Sequence, residues 1–175
     1  MAGFIYKGQL KGGQQSPGTM NLIIANSATI YKGSAVMMSS GYVAAGTAGN
    51  KLIGICIGLV NKDGIDLDSA NSNSYDGTYT PGEAGVGNYA AASDNVTDKQ
   101  IKAVVVVDKD ALWESACTGL AAAGLFGFHN LTDSITVAAQ AAGEVAAQLQ
   151  LVAFESATLG TFRIVESQLD PYSVS

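Results

Sequence analysis

Charge is scarce in this sequence. Only 14% of its 175 residues are Asp, Glu, Lys or Arg, against about 25% in ordinary soluble domains. Arginine occurs once, at Arg163, and lysines such as Lys7, Lys11, Lys32, Lys51 and Lys62 are scattered. With a net charge of −6, there is no basic patch for phosphate backbones or for an anionic bilayer, so neither nucleic acid nor membrane is an expected partner. Histidine also occurs once, at His129, and cysteine twice, at Cys56 and Cys117. One imidazole and two distant thiols do not make the ligand cluster of a zinc site. No apolar run approaches the ~18 residues of a membrane helix. The N-terminus lacks the basic and long apolar regions of a signal peptide, so synthesis in a reducing cytoplasm is expected, with both cysteines as buried free thiols. Without secretion, the glycosylation sequons at Asn95 and Asn130 are chance matches.

Reaction chemistry is equally thin. A nucleophile needs a base within hydrogen-bond reach, so any Cys–His pair must use His129 with Cys56 or Cys117. Neither cysteine lies in a nucleophile motif, and His129 sits among Phe126, Phe128 and Leu131, which suits a structural residue. The acidic run Asn61, Asp63, Asp66 and Asp68 resembles a calcium loop only superficially, lacking the spacing and bidentate Glu of an EF-hand. Asp63-Gly64 is a tight-turn signal. The glycines at 82, 85 and 87 do not complete a phosphate loop. No catalytic, cofactor-binding or metal-binding residue is assigned, and no cofactor is expected.

What the chain does contain is strand text. In Ile101–Cys117, IKAVVVVDKDALWESAC, four valines (Val104–Val107) meet a polar turn at Asp108, Lys109 and Asp110, and an apolar segment with the only tryptophan, Trp113, follows. β-Branched residues favour the pleated backbone, and two such segments across a short Asp-containing turn predict a β-hairpin. Upstream, NLIIANSATIY, AVMMSSGYVAAG and KLIGICIGLV are separated by turn residues at a spacing that suggests a sandwich or barrel. Alternation in the last of these predicts one face of Ile53, Ile55, Ile57 and Leu59. The opposite face, Leu52, Gly54, Cys56, Gly58 and Val60, is small enough for a neighbouring strand to approach closely.

Residues 1–19 read as an extended N-terminal arm whose Phe4 and Tyr6 dock on a neighbour; the alternative is a frayed terminus with a short edge strand. On the arm reading, removing residues 1–18 leaves the domain folded. Residues 20–175 form a single β-rich domain. Residues 61–100, rich in Gly, Asn, Asp and Ser, predict a long outer excursion with one short hairpin around Tyr75–Tyr79. Ala138–Gln148 is either a helix of two to three turns or an Ala-rich loop. Leu149–Glu155 and Thr161–Gln168 predict strands, with Arg163 and Glu166 exposed. The fold class expected is therefore all-β: a compact β-barrel, β-tulip-like or sandwich domain with long loops and at most one or two short helices.

The order IYKGSAVMMSSGYVAAGTAGNKLIGICIGLV, a variable loop, IKAVVVVDKDALWESAC and finally GTFRIVESQLDP resembles the capsid decoration (cement) proteins of tailed bacteriophages. The matching positions are Lys32-Gly33, Ile53-Gly54-Ile55, Asp108-Lys109-Asp110, Trp113 and Phe162-Arg163-Ile164-Val165. The long loop after Leu59 and the Ala-rich segment depart from that pattern. The resemblance implies a non-enzymatic structural protein on the outer capsid surface of a virion. There it cements neighbouring major capsid subunits, with the major capsid protein and its own copies, as a homotrimer, for partners. The alternative is a receptor- or glycan-binding head or fibre module, for which Tyr75, Tyr79 and Tyr89 would supply exposed aromatics. An enzyme reading rests only on His129 and the thiols.

Overall fold

A computed structural model describes residues 3–10, 16–68, 77–140 and 147–165. Among the described residues, fourteen strands form three antiparallel sheets. The central sheet holds β2 (Thr19–Ile23), β4 (Ser34–Ser39), β5 (Tyr42–Ala45), β6 (Gly54–Val60) and β9 (Lys102–Val106), in the order β2-β9-β6-β4-β5. A six-stranded sheet runs β1-β10-β14-β13-β11-β12. Its members are β1 (Ile5–Gln9), β10 (Ala111–Ala116), β11 (Phe128–Asp133), β12 (Thr136–Gln140), β13 (Leu149–Ser156) and β14 (Leu159–Ile164). The third sheet is β3 (Thr29–Tyr31), β8 (Asn88–Ala91) and β7 (Gly77–Thr80), with β8 in the middle. Helical structure among the described residues is limited to single turns at Asn95–Lys99 and Ala122–Gly124. The all-β expectation holds. Among the described residues no helix is long and apolar enough to cross a membrane.

The central sheet is covered on both faces, which explains the valine run. Side chains alternate across a strand, and here both destinations are apolar. Ala35, Ile55 and Val106 face one core, shared with Phe4, Trp113, Leu149, Leu151 and Phe162 of the six-stranded sheet and its leading residue. Val36, Cys56, Ala103 and Val105 face a second core with Ile30 and Tyr89 of the small sheet. A strand buried on both sides reads as a continuous apolar run rather than an alternating one.

Ile101–Cys117 is not a hairpin. β9 pairs with β2 and β6, whereas β10 pairs with β1 and β14 in the other sheet. The turn carries the chain from one sheet to the next: Asp108 Oδ1 accepts the Asp110 N–H at 2.9 Å, an Asx turn. The N-terminal segment follows the same corner in the opposite direction. β1 lies antiparallel to β10 and β2 antiparallel to β9, and Gln9 Nε2 donates to Asp108 Oδ2 at 2.5 Å. Local turn chemistry was legible in the sequence; which strand pairs across it was decided by the two cores.

For residues 3–10 the edge-strand alternative is the one observed, and the free arm is not. Phe4 is 2% exposed in the first core, and Tyr6 meets Trp113 edge-on at 5.5 Å. The Phe4 N–H donates to the Gly33 carbonyl at 2.7 Å. Gly33 has φ +72, and a Cβ there would stand 2.9 Å from the Phe4 carbonyl oxygen, so the contact requires glycine. Residues 11–15 of the expected arm lie outside the described residues.

Several further expectations change in detail. In β6 a bulge between Cys56 and Gly58 breaks the alternation, so Ile55 and Leu59 enter different cores and Ile57 is exposed. The close approach at Gly54 is real, since a Cβ there would lie 1.9 Å from the Val106 carbonyl oxygen. Ala138–Gln140 is the end of β12, not helix, and residues 141–146 fall outside the described residues. The excursion after Val60 does contain a hairpin, β7–β8, but it is a layer of the core. The two ends of the six-stranded sheet approach one another where Val137 of β12 bridges to Cys117, just past β10.

Two outcomes follow. Val105→Asp and Val106→Asp each lose folded soluble protein, because each buries a carboxylate without a partner, at about 3–5 kcal/mol; a wild-type melting temperature for either would show that its face is not core. Phe4→Ala costs about 3–5 kcal/mol by the same measurement, and removal of residues 1–9 costs at least as much. An unchanged melting temperature after truncation would restore the free-arm reading.

Candidate functional site

A polar cluster joins Lys32, Asp68 and Tyr79. Lys32 lies between β3 and β4, and Tyr79 is on β7. Asp68 follows a tight fold-back in which Asn61 Oδ1 accepts the N–H groups of Asp63 and Ile65 at 3.0 and 2.9 Å. Lys32 Nζ is ion-paired with Asp68 Oδ2 and lies 5.8 Å from the Tyr79 ring centroid, while the Tyr79 hydroxyl donates to Asp68 Oδ1. Burial acts to lower the Lys32 pKa, but its hydrogen bonds with Asp68 and Tyr79 outweigh it and raise the value. The same lysine, followed by the tyrosine, holds the Asp68 carboxyl below its usual range. Burial, then the bond to Asp68, pushes the Tyr79 phenol up. Each group therefore keeps its resting charge, which suits a fastener between layers rather than proton transfer.

The acidic run does not assemble a cation site. Asn61 Oδ1 is occupied by backbone amides, Asp66 Oδ1 accepts the Asp68 N–H at 2.8 Å, and Asp68 is committed to Lys32. Among the described residues no group of three or more His, Cys, Asp or Glu side chains is placed to hold a metal.

Cys117 and His129 do come together, but as parallel donors. Cys117 Sγ and His129 Nδ1 both lie 3.1 Å from the Ala138 carbonyl oxygen. A carbonyl only accepts, so Nδ1 carries the proton and cannot take one from the thiol. His129 is 2% exposed and packs edge-on against Phe162 at 5.5 Å. Burial raises the Cys117 thiol and pushes the Cys56 thiol up to about 12, so neither is a ready thiolate. Both are free and buried, as the apolar context predicted.

Of the three tyrosines named for a glycan surface, two are described. Tyr89 is fully buried, Tyr79 is half-buried against Lys32 and Asp68, and Tyr75 lies outside the described residues. The Asn95 sequon is closed because Asn95 is itself core. Its Nδ2 donates to the Ile24 and Ile101 carbonyls at 2.7 and 3.2 Å, and its Oδ1 accepts from the Ile101 N–H at 3.1 Å. Sequence patterns missed Lys32, Asp68 and Asn95 as structural hubs, because a polar residue whose partner is distant in sequence leaves no local periodicity.

No protein-family model, curated protein or solved structure matches this chain.

The ion pair sets a pH dependence. Asp68 has a depressed folded pKa, so its contribution is complete above the unfolded value of ~3.9 and is lost as pH falls through the folded value. Lys32 has a raised folded pKa; its contribution is complete below ~10.4 and is lost as pH rises through the folded value. Asp68→Asn is expected to lower stability at pH 7 by about 1 kcal/mol, a modest figure because the carboxylate is partly solvated. The deficit shrinks toward zero at pH 2. Urea titrations at both pH values test this, and an equal deficit at both would show that the charge of Asp68 is immaterial.

Proposed function

We propose that this chain is a non-enzymatic structural module that binds the outer surface of a phage capsid and cements neighbouring major capsid subunits. The observation that carries the reading is a charge-poor chain whose rigid β-framework leaves large apolar side chains outside its cores. Leu10, Ile57, Ile65, Val86, Leu125 and Phe126 are all between 41% and 62% exposed. A partner's surface would cover such side chains, and low charge lowers the desolvation cost of covering the rest. The groups that catalysis would recruit, His129, Cys117, Lys32 and Asp68, are engaged in the fold. The resemblance to decoration proteins supplies the kind of partner, a lattice of major capsid protein on the virion exterior, with self-association as a trimer as the accompanying expectation.

The particle made by the genome encoding this chain tests the reading. The chain should co-sediment with purified shells, appear as density on their outer surface, and leave shells that lose DNA more readily when its gene is deleted. Purified particles that lack the chain would overturn the proposal.

A further inference from the structure

The seam between the two ends of the six-stranded sheet is fastened by few groups. Val137 of β12 bridges to Cys117, and the Ala138 carbonyl oxygen accepts from Cys117 Sγ and from His129 Nδ1, each at 3.1 Å. β12 stands last in the sheet order, paired to β11. The turn before it is held by the Ala35 N–H, which donates to the Ser134 carbonyl at 2.6 Å, and by the Gly3 N–H, which donates to Ile135 at 2.9 Å.

His129 has one ring nitrogen to spare. With the proton on Nδ1, Nε2 presents a lone pair, and that atom is buried with no hydrogen-bond partner among the described residues. Nothing described around the ring offers it a counter-charge. Its cross-strand neighbours are Gln140 of β12 and Leu149 of β13, and the Phe162 ring of β14 meets it edge-on. Cys117 is the titratable group beside it, and burial raises that thiol. Charged residues of the surrounding strands lie elsewhere. Glu114 of β10 and Arg163 of β14 alternate with the core residues Trp113 and Phe162 and bind Lys7 and Gln150 instead. Asp133 of β11 and Glu155 of β13 are exposed.

Imidazole is the side chain whose charge ordinarily changes between about pH 5 and 8, and this chain has one. Protonation would add a donor at Nε2 with nothing to accept from it and a buried charge with no counter-ion. Both costs disappear when the ring reaches water. Acid therefore favours a state in which the seam is open, and closure weakens as pH falls. We propose that His129 is an acid-sensitive clasp, whose protonation lets β12 part from Cys117 while the central sheet stays formed. Opening an end strand costs less than unfolding the whole domain, and the second core, which holds Cys56, contains no imidazole. The inference does not depend on the capsid reading.

The two buried thiols report on the two cores separately. Intact protein is labelled with dithiodipyridine, which reacts with thiols in acid, at pH 7 and at pH 5. Rates for Cys117 and Cys56 are read by peptide mass spectrometry relative to a free thiol peptide, and the single imidazole is titrated by NMR. Cys117 is expected to label about tenfold faster or more at pH 5, in step with protonation of the ring, while Cys56 stays protected. In His129→Asn, whose amide can still donate to Ala138 but does not titrate, the Cys117 rate should be the same at both pH values. Should that variant fail to fold, the wild-type titration decides alone. Equal protection of Cys117 at both pH values, or a ring that protonates while Cys117 stays protected, would overturn the clasp. Labelling of Cys56 in parallel with Cys117 would mean global unfolding. An acid response that persists in His129→Asn would place the trigger in another group, and either result would refute the inference.

Discussion

Everything in this molecule depends on covering both faces of the central five-stranded sheet. Val105 and Cys56 point one way and Val106 and Ile55 the other, so a two-layer sandwich would leave half of them in water. At about 25 cal/mol per Å² of apolar surface, exposing either set would remove much of the margin that keeps a domain folded. The six-stranded sheet and the small β3-β8-β7 sheet are the two covers. The N-terminal strand is part of the first cover, because Phe4 fills that core and Tyr6 closes over Trp113. The long Gly- and Asn-rich stretch is part of the second, through Tyr89 and Ala91.

A chain with so few charges still has to satisfy polar groups where its loops cross the layers, and it uses amides. Asn95 links the Ile24 and Ile101 backbones. Gln148, also fully buried, donates to the Thr47 and Asn50 carbonyls at 2.8 and 2.6 Å and accepts from the Leu131 N–H at 3.2 Å. Amides carry both donors and acceptors and no net charge, so each can satisfy several backbone groups without the desolvation cost of an ion. The buried amides Asn95 and Gln148 are therefore fasteners between layers.

The proposed decoration role rests on the outer surface, where large apolar side chains stand exposed. A module that cements a lattice needs a stiff body and small, repeated points of contact, since avidity rather than area supplies the hold. Strands pinned from both sides provide the stiffness.

The sequence by itself determined the fold class, most strand positions, the turns and the absence of a recognisable catalytic or zinc motif. β-Branched runs, Asx turns and glycine spacing act over a few residues and can be read there. The same runs did not say which strands pair. Val104–Asp108–Trp113 looks like a hairpin by every local rule, yet it is a corner, because only long-range burial distinguishes a turn within a sheet from a step between two. The N-terminal strand, the burial of Tyr89 and Asn95, the Lys32–Asp68–Tyr79 cluster and the bulge that turns Ile57 outward were likewise decided by the tertiary structure. Each depends on contacts between residues far apart in sequence, and the energy that selects them belongs to the assembled cores rather than to any one segment.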